Sequence, residues 1–183
     1  MDPSVDSTDP FDLSGMVVEV AHTFDSPIGR VWALLTDVER MAGLGPEHHA
    51  AAWIARPGGQ HPTSGMGPVV GDRFAGRNRR GEFEWEVTCH ITEWQPPRRC
   101  TWTVLDPAQP SSTWTYELSE DAAGTCVTQT FRHGPGPSFV RVAVERDPAG
   151  AESVVAGRSD MLRTDMIGTL RAAERLLVDD EPS

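Results

Sequence analysis

The stretch from Gly81 to Trp94, "GEFEWEVTCHITEW", decides the fold. Phe83, Trp85, Val87, Cys89 and Ile91 share one parity, while Glu82, Glu84, Glu86, Thr88, His90 and Thr92 share the other. A period of two belongs to a strand with one buried face. At roughly 3.3 Å per residue the segment spans about 40 Å, well beyond the ~5–6 residues of an ordinary strand. So long an apolar face needs an equally long cover.

Similar segments lie on both sides of it. "MVVEVAHTF" alternates from Met16 to Phe24, and strand-like runs recur in "HHAAAWIA", "GDRFAGRNRRG", "RRCTWTVLD", "STWTYELSED" and "TCVTQTFRH". Turn chemistry at Arg80-Gly81, Pro96-Pro97, Asp106-Pro107 and Ala123-Gly124 separates the later runs, which predicts successive antiparallel hairpins. Two short helices follow the first strand. The first starts at Ser26 or Pro27 in "SPIGRVWALLTD", and the second is stopped by "GLGP" at Gly43–Pro46. The segment "PSFVRVAVERDPAG" fits a strand or a short helix at the rim of the sheet. From Ser159, Leu162, Met166, Thr169 or Leu170, Ala173 and Leu176 keep a helical rhythm over about five turns. An earlier start near Glu152 also fits, with Gly157 as a weak point, and this helix is the only element long enough to cover the sheet. The expected class is α+β: a curved seven-stranded antiparallel sheet wrapped around a long C-terminal helix, with two short helices after strand one.

The 183 residues suit one domain, taken as 16–177. Residues 1–15, rich in Asp, Ser and Pro, read as a disordered tail, and 178–183 read as a second. A net charge of −11 argues against general nucleic-acid binding, which needs a basic surface. Arg77, Arg79 and Arg80 fit a solvated hairpin end. All the basic residues are Arg, none Lys, which fits a GC-rich coding bias. The first residues lack the basic and apolar regions of a secretory signal, and no run approaches the ~18 apolar residues of a membrane span. Cys89, Cys100 and Cys126 are odd in number and lack CxxC spacing, so reduced thiols and a cytoplasmic location are expected.

Four strings resemble the SRPBCC superfamily, also called START-like or helix-grip, and most closely its polyketide cyclase/dehydrase and lipid-transport branch: "FDSPIGRVWALLTDVERM", "VVGDRFAGRNRRGEFEWEVTCHITEWQP", "STWTYELSEDAAGTCVTQTF" and "DMIGTLRAAERLL". The resemblance implies an apolar cavity between sheet and helix, closed by loops and the short helices. It also implies a hydrophobic small-molecule ligand and, at its most specific, a cyclase/dehydrase that needs no cofactor. A non-catalytic carrier or sensor of a lipid or isoprenoid is the competing expectation. A third is an interaction module whose cavity is filled by its own Trp and Phe side chains. The sheet edges could support a homodimer.

Alternation also assigns the inward residues. Val18, Val20, His22 and Phe24 take that face on the first strand, and Phe74, Gly76 and Asn78 on the third. Cys100, Trp102 and Val104 follow on the fifth, Trp114, Tyr116 and Leu118 on the sixth, and Val127, Gln129 and Phe131 on the last. A mostly apolar wall with a few polar groups is the usual form of a small-molecule site. His22 and Tyr116 are the expected acid–base pair, the imidazole because its ordinary pKa lies near neutrality and the phenol because it can donate to an enolate. Asn78 and Gln129 could orient a carbonyl, with His133 near the mouth. Phe83, Trp85, Trp102, Trp114, Phe131 and Met166 are expected to contact the ligand, and aromatic walls suit a flat polycycle or polyene. Cys89 and His90, neighbours on a strand, point to opposite faces and cannot act as nucleophile and base. His48, His49 and His61 lack a metal-ligand spacing, and no metal site is expected. No GxGxxG, Walker or GxSxG motif occurs.

Overall fold

A computed structural model describes residues 12–64 and 67–179. The strands are β1 (Val17–Phe24), β2 (His48–Ile54), β3 (Arg73–Arg80), β4 (Phe83–Gln95), β5 (Arg99–Val104), β6 (Ser112–Asp121) and β7 (Gly124–His133). Helices α1 (Ile28–Leu35) and α2 (Val38–Met41) follow β1, and α3 (Phe139–Arg146) and α4 (Ala151–Asp179) follow β7. One seven-stranded sheet runs β1-β7-β6-β5-β4-β3-β2, antiparallel throughout. It is the expected curved sheet with a long C-terminal helix: an α+β helix-grip fold.

The opening segment is the longest strand, 13 residues in β4. The inward rows predicted by alternation meet in register. Val20, Gln129, Tyr116 and Cys100 form one cross-strand row, and Val18, Phe131, Trp114 and Trp102 form the next. Two bulges interrupt the alternation. One, between His48 and Ala50, leaves His48 and Trp53 facing inward despite opposite parity. The other, between Ile91 and Glu93, turns Trp94 inward, where its ring meets Trp32 at 5.1 Å.

Helix α1 starts one residue later than expected. Pro27 is its N-cap with extended backbone, the Ser26 carbonyl accepts from Thr125 Oγ1 at 2.7 Å, and the Ile28 N–H donates to the Glu120 carboxylate at 3.1 Å. The rim segment is the helix α3, whose N-cap Ser138 accepts from the Arg141 N–H. Helix α4 begins at Ala151, so Gly157 does not interrupt it. A helical Gly costs about 1 kcal/mol. Burial of Ala151 against Leu13 and Val144 anchors the added first turns. That contact also corrects the N-terminal tail, since Leu13–Gly15 form a 3-10 turn with Leu13 buried. Residues 1–11 and 180–183 lie outside the described residues, while Val178 and Asp179 belong to α4.

The α4 stripe Leu162, Met166, Leu170, Ala173 and Leu177 packs into a core with Val18, Val20, Phe24, Val31, Leu34 and Val127. A second, smaller core of Trp53, Phe74, Cys89, Ile91 and Val104 sits on the opposite half of the sheet. Trp94, Trp102 and Trp114 touch both cores. Leu170 is fully buried at the centre of the α4 contact. Leu170→Ala should lower unfolding free energy by about 2–5 kcal/mol in urea titration; a loss under about 1 kcal/mol would contradict this packing.

Candidate functional site

A cavity of about 620 Å3 lies between the two cores, bounded by the inner faces of β2 to β7, by α2, by the N-terminal half of α4 and by α3. Five aromatic rings cross its floor in unbroken contact. Trp53 meets Phe74 at 5.6 Å, Phe74 meets Trp102 at 6.2 Å, Trp102 meets Trp114 at 6.4 Å, and Trp114 meets Phe131 at 4.9 Å. The Trp102 and Trp114 rings are parallel to within 6°. Trp114 Nε1–H donates to Ser112 Oγ at 3.2 Å, which fixes its indole.

Polar groups on this wall are few. Tyr116 and Gln129 are direct cross-strand partners, each about 95% buried. Among the described residues, Gln129 Oε1 has no hydrogen-bond partner and no protein group bonds the Tyr116 hydroxyl. Burial holds the Tyr116 phenol well above its ordinary pKa, so it stays a protonated donor. Cys89 and Cys100 line the same wall, and burial pushes both thiols up to about 12. They are small apolar groups there, not nucleophiles. His133 Nε2 lies 2.7 Å from Ser138 Oγ and ties β7 to the start of α3.

Toward the mouth, His48 stands opposite Asn78 on the neighbouring strand, and both line the cavity. Burial, then the charge of His49, holds the His48 imidazole below its ordinary value, which keeps it neutral. Asp165 lines this end as well; burial, then Glu47, raises its carboxyl. Charged side chains gather at the rim. Arg158 donates both guanidinium nitrogens to Glu47, at 2.9 and 3.0 Å, and Arg80 pairs with the same carboxylate. Glu47 thus joins the loop before β2 to the β3–β4 hairpin and to α4. Across the opening, the Phe83, Trp85 and Phe139 rings meet at 5.4–5.6 Å and join that hairpin to α3.

Asn78, Trp85, Trp102, Trp114, Tyr116, Gln129, Phe131 and Met166 thus stand around one cavity. Two expected site residues do not. His22 has the inward parity, but α4 covers the β1 end of the sheet. Its Nε2 lies 2.8 Å from Glu174 Oε2, and its ring meets Phe24 edge-on at 5.0 Å, away from the cavity. Phe83 is 54% exposed because the β3–β4 hairpin runs past the covered part of the sheet; it belongs to the rim. His48, Asp165, Glu47 and Arg158 were not anticipated as site residues. Only the doubled "HH" ahead of a strand marked His48, and its inward turn depends on the bulge at His49. Among the described residues, no group of three or more His, Cys, Asp or Glu is placed to hold a metal ion. Nor is any described helix long and apolar enough to cross a membrane.

Fold and cavity together define a helix-grip domain with an aromatic-floored pocket. Residues 16–166 match the family described as polyketide cyclase / dehydrase and lipid transport, and the chain belongs to that family. A Polyketide_cyc-like protein of Corynebacterium glutamicum is similar in structure, with a TM-score of 0.61 and 25% identity over 88% of this chain and 91% of that one. A protein of Nitrosomonas europaea shares the fold with a TM-score of 0.63 at 18% identity, over 93% of this chain and 98% of its own. The di-domain ARO/CYC StfQ from the steffimycin biosynthetic pathway shares it too, with a TM-score of 0.65 at 10% identity, over 87% of this chain and 49% of that longer one. No curated protein matches the chain in sequence.

The burial of His48 has a pH signature. Its folded-state pKa lies below the ordinary 6.5. As pH falls through 6.5 the unfolded chain takes up a proton that the folded protein resists, so this contribution to stability is complete above 6.5 and lost on the acid side. Urea midpoints measured from about pH 7.5 to about pH 5 should fall less steeply in His48→Asn than in the wild type. Equal slopes would contradict a buried, neutral His48.

Proposed function

We propose that the protein binds a hydrophobic small molecule in this cavity and, most specifically, catalyses cyclisation and dehydration of a polyketide-like substrate without a cofactor. The supporting observation is an apolar cavity of about 620 Å3 with a few buried polar groups, in a chain of a cyclase/dehydrase family. That volume falls within the ~300–1,000 Å3 typical of small-molecule sites.

The chemistry needs a base for an acidified α-proton, a donor for the enolate oxygen, and a conformer that brings distant carbons together. His48, neutral in its buried position, takes the base role in place of His22. Tyr116 supplies the donor, and Asn78 orients a carbonyl near His48. Loss of the proton between two carbonyls gives an enolate, whose carbon bonds to a distal carbonyl carbon. The resulting alkoxide is protonated to an alcohol. Loss of a second α-proton with departure of the hydroxyl as water leaves the carbon–carbon double bond. The aromatic floor favours the folded, flattening chain through ring contacts.

A 3,5,7-trioxo ester, whose C2 lies between two carbonyls and closes on the C7 carbonyl to a dihydroxybenzoate ester with loss of one water, serves as a test substrate, followed by its ultraviolet absorbance. Wild-type protein should accelerate closure. Tyr116→Phe and His48→Asn should each lower kcat by about 10²-fold or more with little change in affinity. Binding without acceleration would support a carrier of hydrophobic molecules instead. Filling the cavity from its wall with Val87→Trp should abolish both binding and turnover; full binding in that variant would place the ligand elsewhere.

A further inference from the structure

The helices pack on the inner side of the sheet, around the core and the cavity, which leaves the outer face of β1 and β3 to β7 without a helical cover among the described residues. The solvated face of an antiparallel sheet is usually polar, with long charged side chains prominent. The centre of this face differs. Thr101, Thr103, Thr113, Thr115, Thr128 and Thr130 fill it, and the Thr101 and Thr115 hydroxyls lie 3.1 Å apart. Short β-branched side chains have little rotamer freedom to lose when a partner covers them.

Charge stands at the ends of two neighbouring cross-strand rows. One row runs Arg73, His90, Thr103, Thr113 and Arg132 from β3 to β7; the next runs Glu93, Thr101, Thr115, Thr130 and Glu19 from β4 to β1. The Arg73 and Arg132 side chains are exposed and make no hydrogen bond or ion pair among the described residues. Glu93 pairs with Arg99, and Glu19 accepts from the Thr130 hydroxyl at 3.4 Å. In the strand order the two arginines are four strand spacings apart, about 19 Å, and so are the two glutamates. The rows themselves lie two residues apart, about 7 Å.

These spacings match under a two-fold rotation. An axis lying between two facing copies, across the strands and midway between the rows, sets each strand over its counterpart and each row over the opposite row. Glu93 of the partner subunit then lies above His90 and one strand from Arg73, and Glu19 of the partner subunit lies one strand from Arg132. Stacked sheets sit about 10 Å apart, a gap that an Arg and a Glu side chain span together. We propose that this face is an interface between two copies of the chain, stacked outer sheet on outer sheet through the threonine centre, with Arg73 and Arg132 of each copy paired to Glu93 and Glu19 of the other. The two rows balance, two arginines against two glutamates, in a chain of net charge −11, so the copies meet where their repulsion is small. Both cavity mouths stay open, because they lie on the helix side.

Sedimentation velocity of the protein between about 1 and about 100 μM reads the assembly. The wild type should pass from monomer to dimer within that range. Arg73→Glu/Arg132→Glu and Glu19→Arg/Glu93→Arg should each raise the dimer dissociation constant by about 10-fold or more, because like charges then face each other in the homodimer. An equimolar mixture of the two variants should recover the wild-type constant, since every contact between them again joins opposite charges. If Glu93→Arg unfolds the protein by circular dichroism, the single variants Arg132→Glu and Glu19→Arg give the same comparison. A wild type still monomeric at the top of the range, variants that dimerise as well as the wild type, or a mixture that stays monomeric would overturn the proposal.

Discussion

The packing of α4 against β1 and its neighbours is the constraint from which the cavity follows. An α-helix with its side chains is about 10–12 Å across. Seven strands about 4.8 Å apart form a sheet about 29 Å wide. One helix therefore covers only two or three strands, and the stripe from Leu162 to Leu177 is committed to the β1 side, where Val18, Val20 and Phe24 complete the core. The inner face of the other strands has no helix of its own length to meet. Trp53, Phe74, Cys89, Ile91 and Val104 close part of that gap as a second core, α2 and α3 roof it, and the space left is the cavity. The same geometry explains His22, which lies on the covered side and meets Glu174 of α4.

Electrostatics divides the cavity from its rim. His48 is held below its ordinary pKa, and Tyr116, Cys89, Cys100 and Asp165 above theirs, with burial the largest cause for each. Every one of these shifts favours the neutral form, as desolvation requires. The charged side chains Glu47, Arg80 and Arg158 meet instead at the mouth, where they pair with one another. A neutral, largely apolar guest suits an interior with that character.

Much of this was legible in the sequence, because a period of two survives curvature. Alternation alone put Trp102, Trp114, Tyr116 and Gln129 on one face; which of them stand side by side is set by the strand register. What alternation hid was set by local breaks and by third-dimension cover. Bulges at His49 and Thr92 turned His48 and Trp94 inward against their parity. Phe83 kept the right parity but lies where the hairpin outruns its cover, and His22 kept it where α4 leaves no space. The ion pairs of Glu47 join residues 33 and 111 positions apart, a distance over which no local pattern carries information.

Whether this cavity holds a small hydrophobic molecule is read out by native mass spectrometry of the protein after incubation with a cell extract. A retained adduct of a few hundred daltons is expected on the folded wild type, released on unfolding and missing from a variant whose cavity is filled by Val87→Trp. Adduct-free protein across extracts, or an adduct that the filled variant keeps, would contradict it.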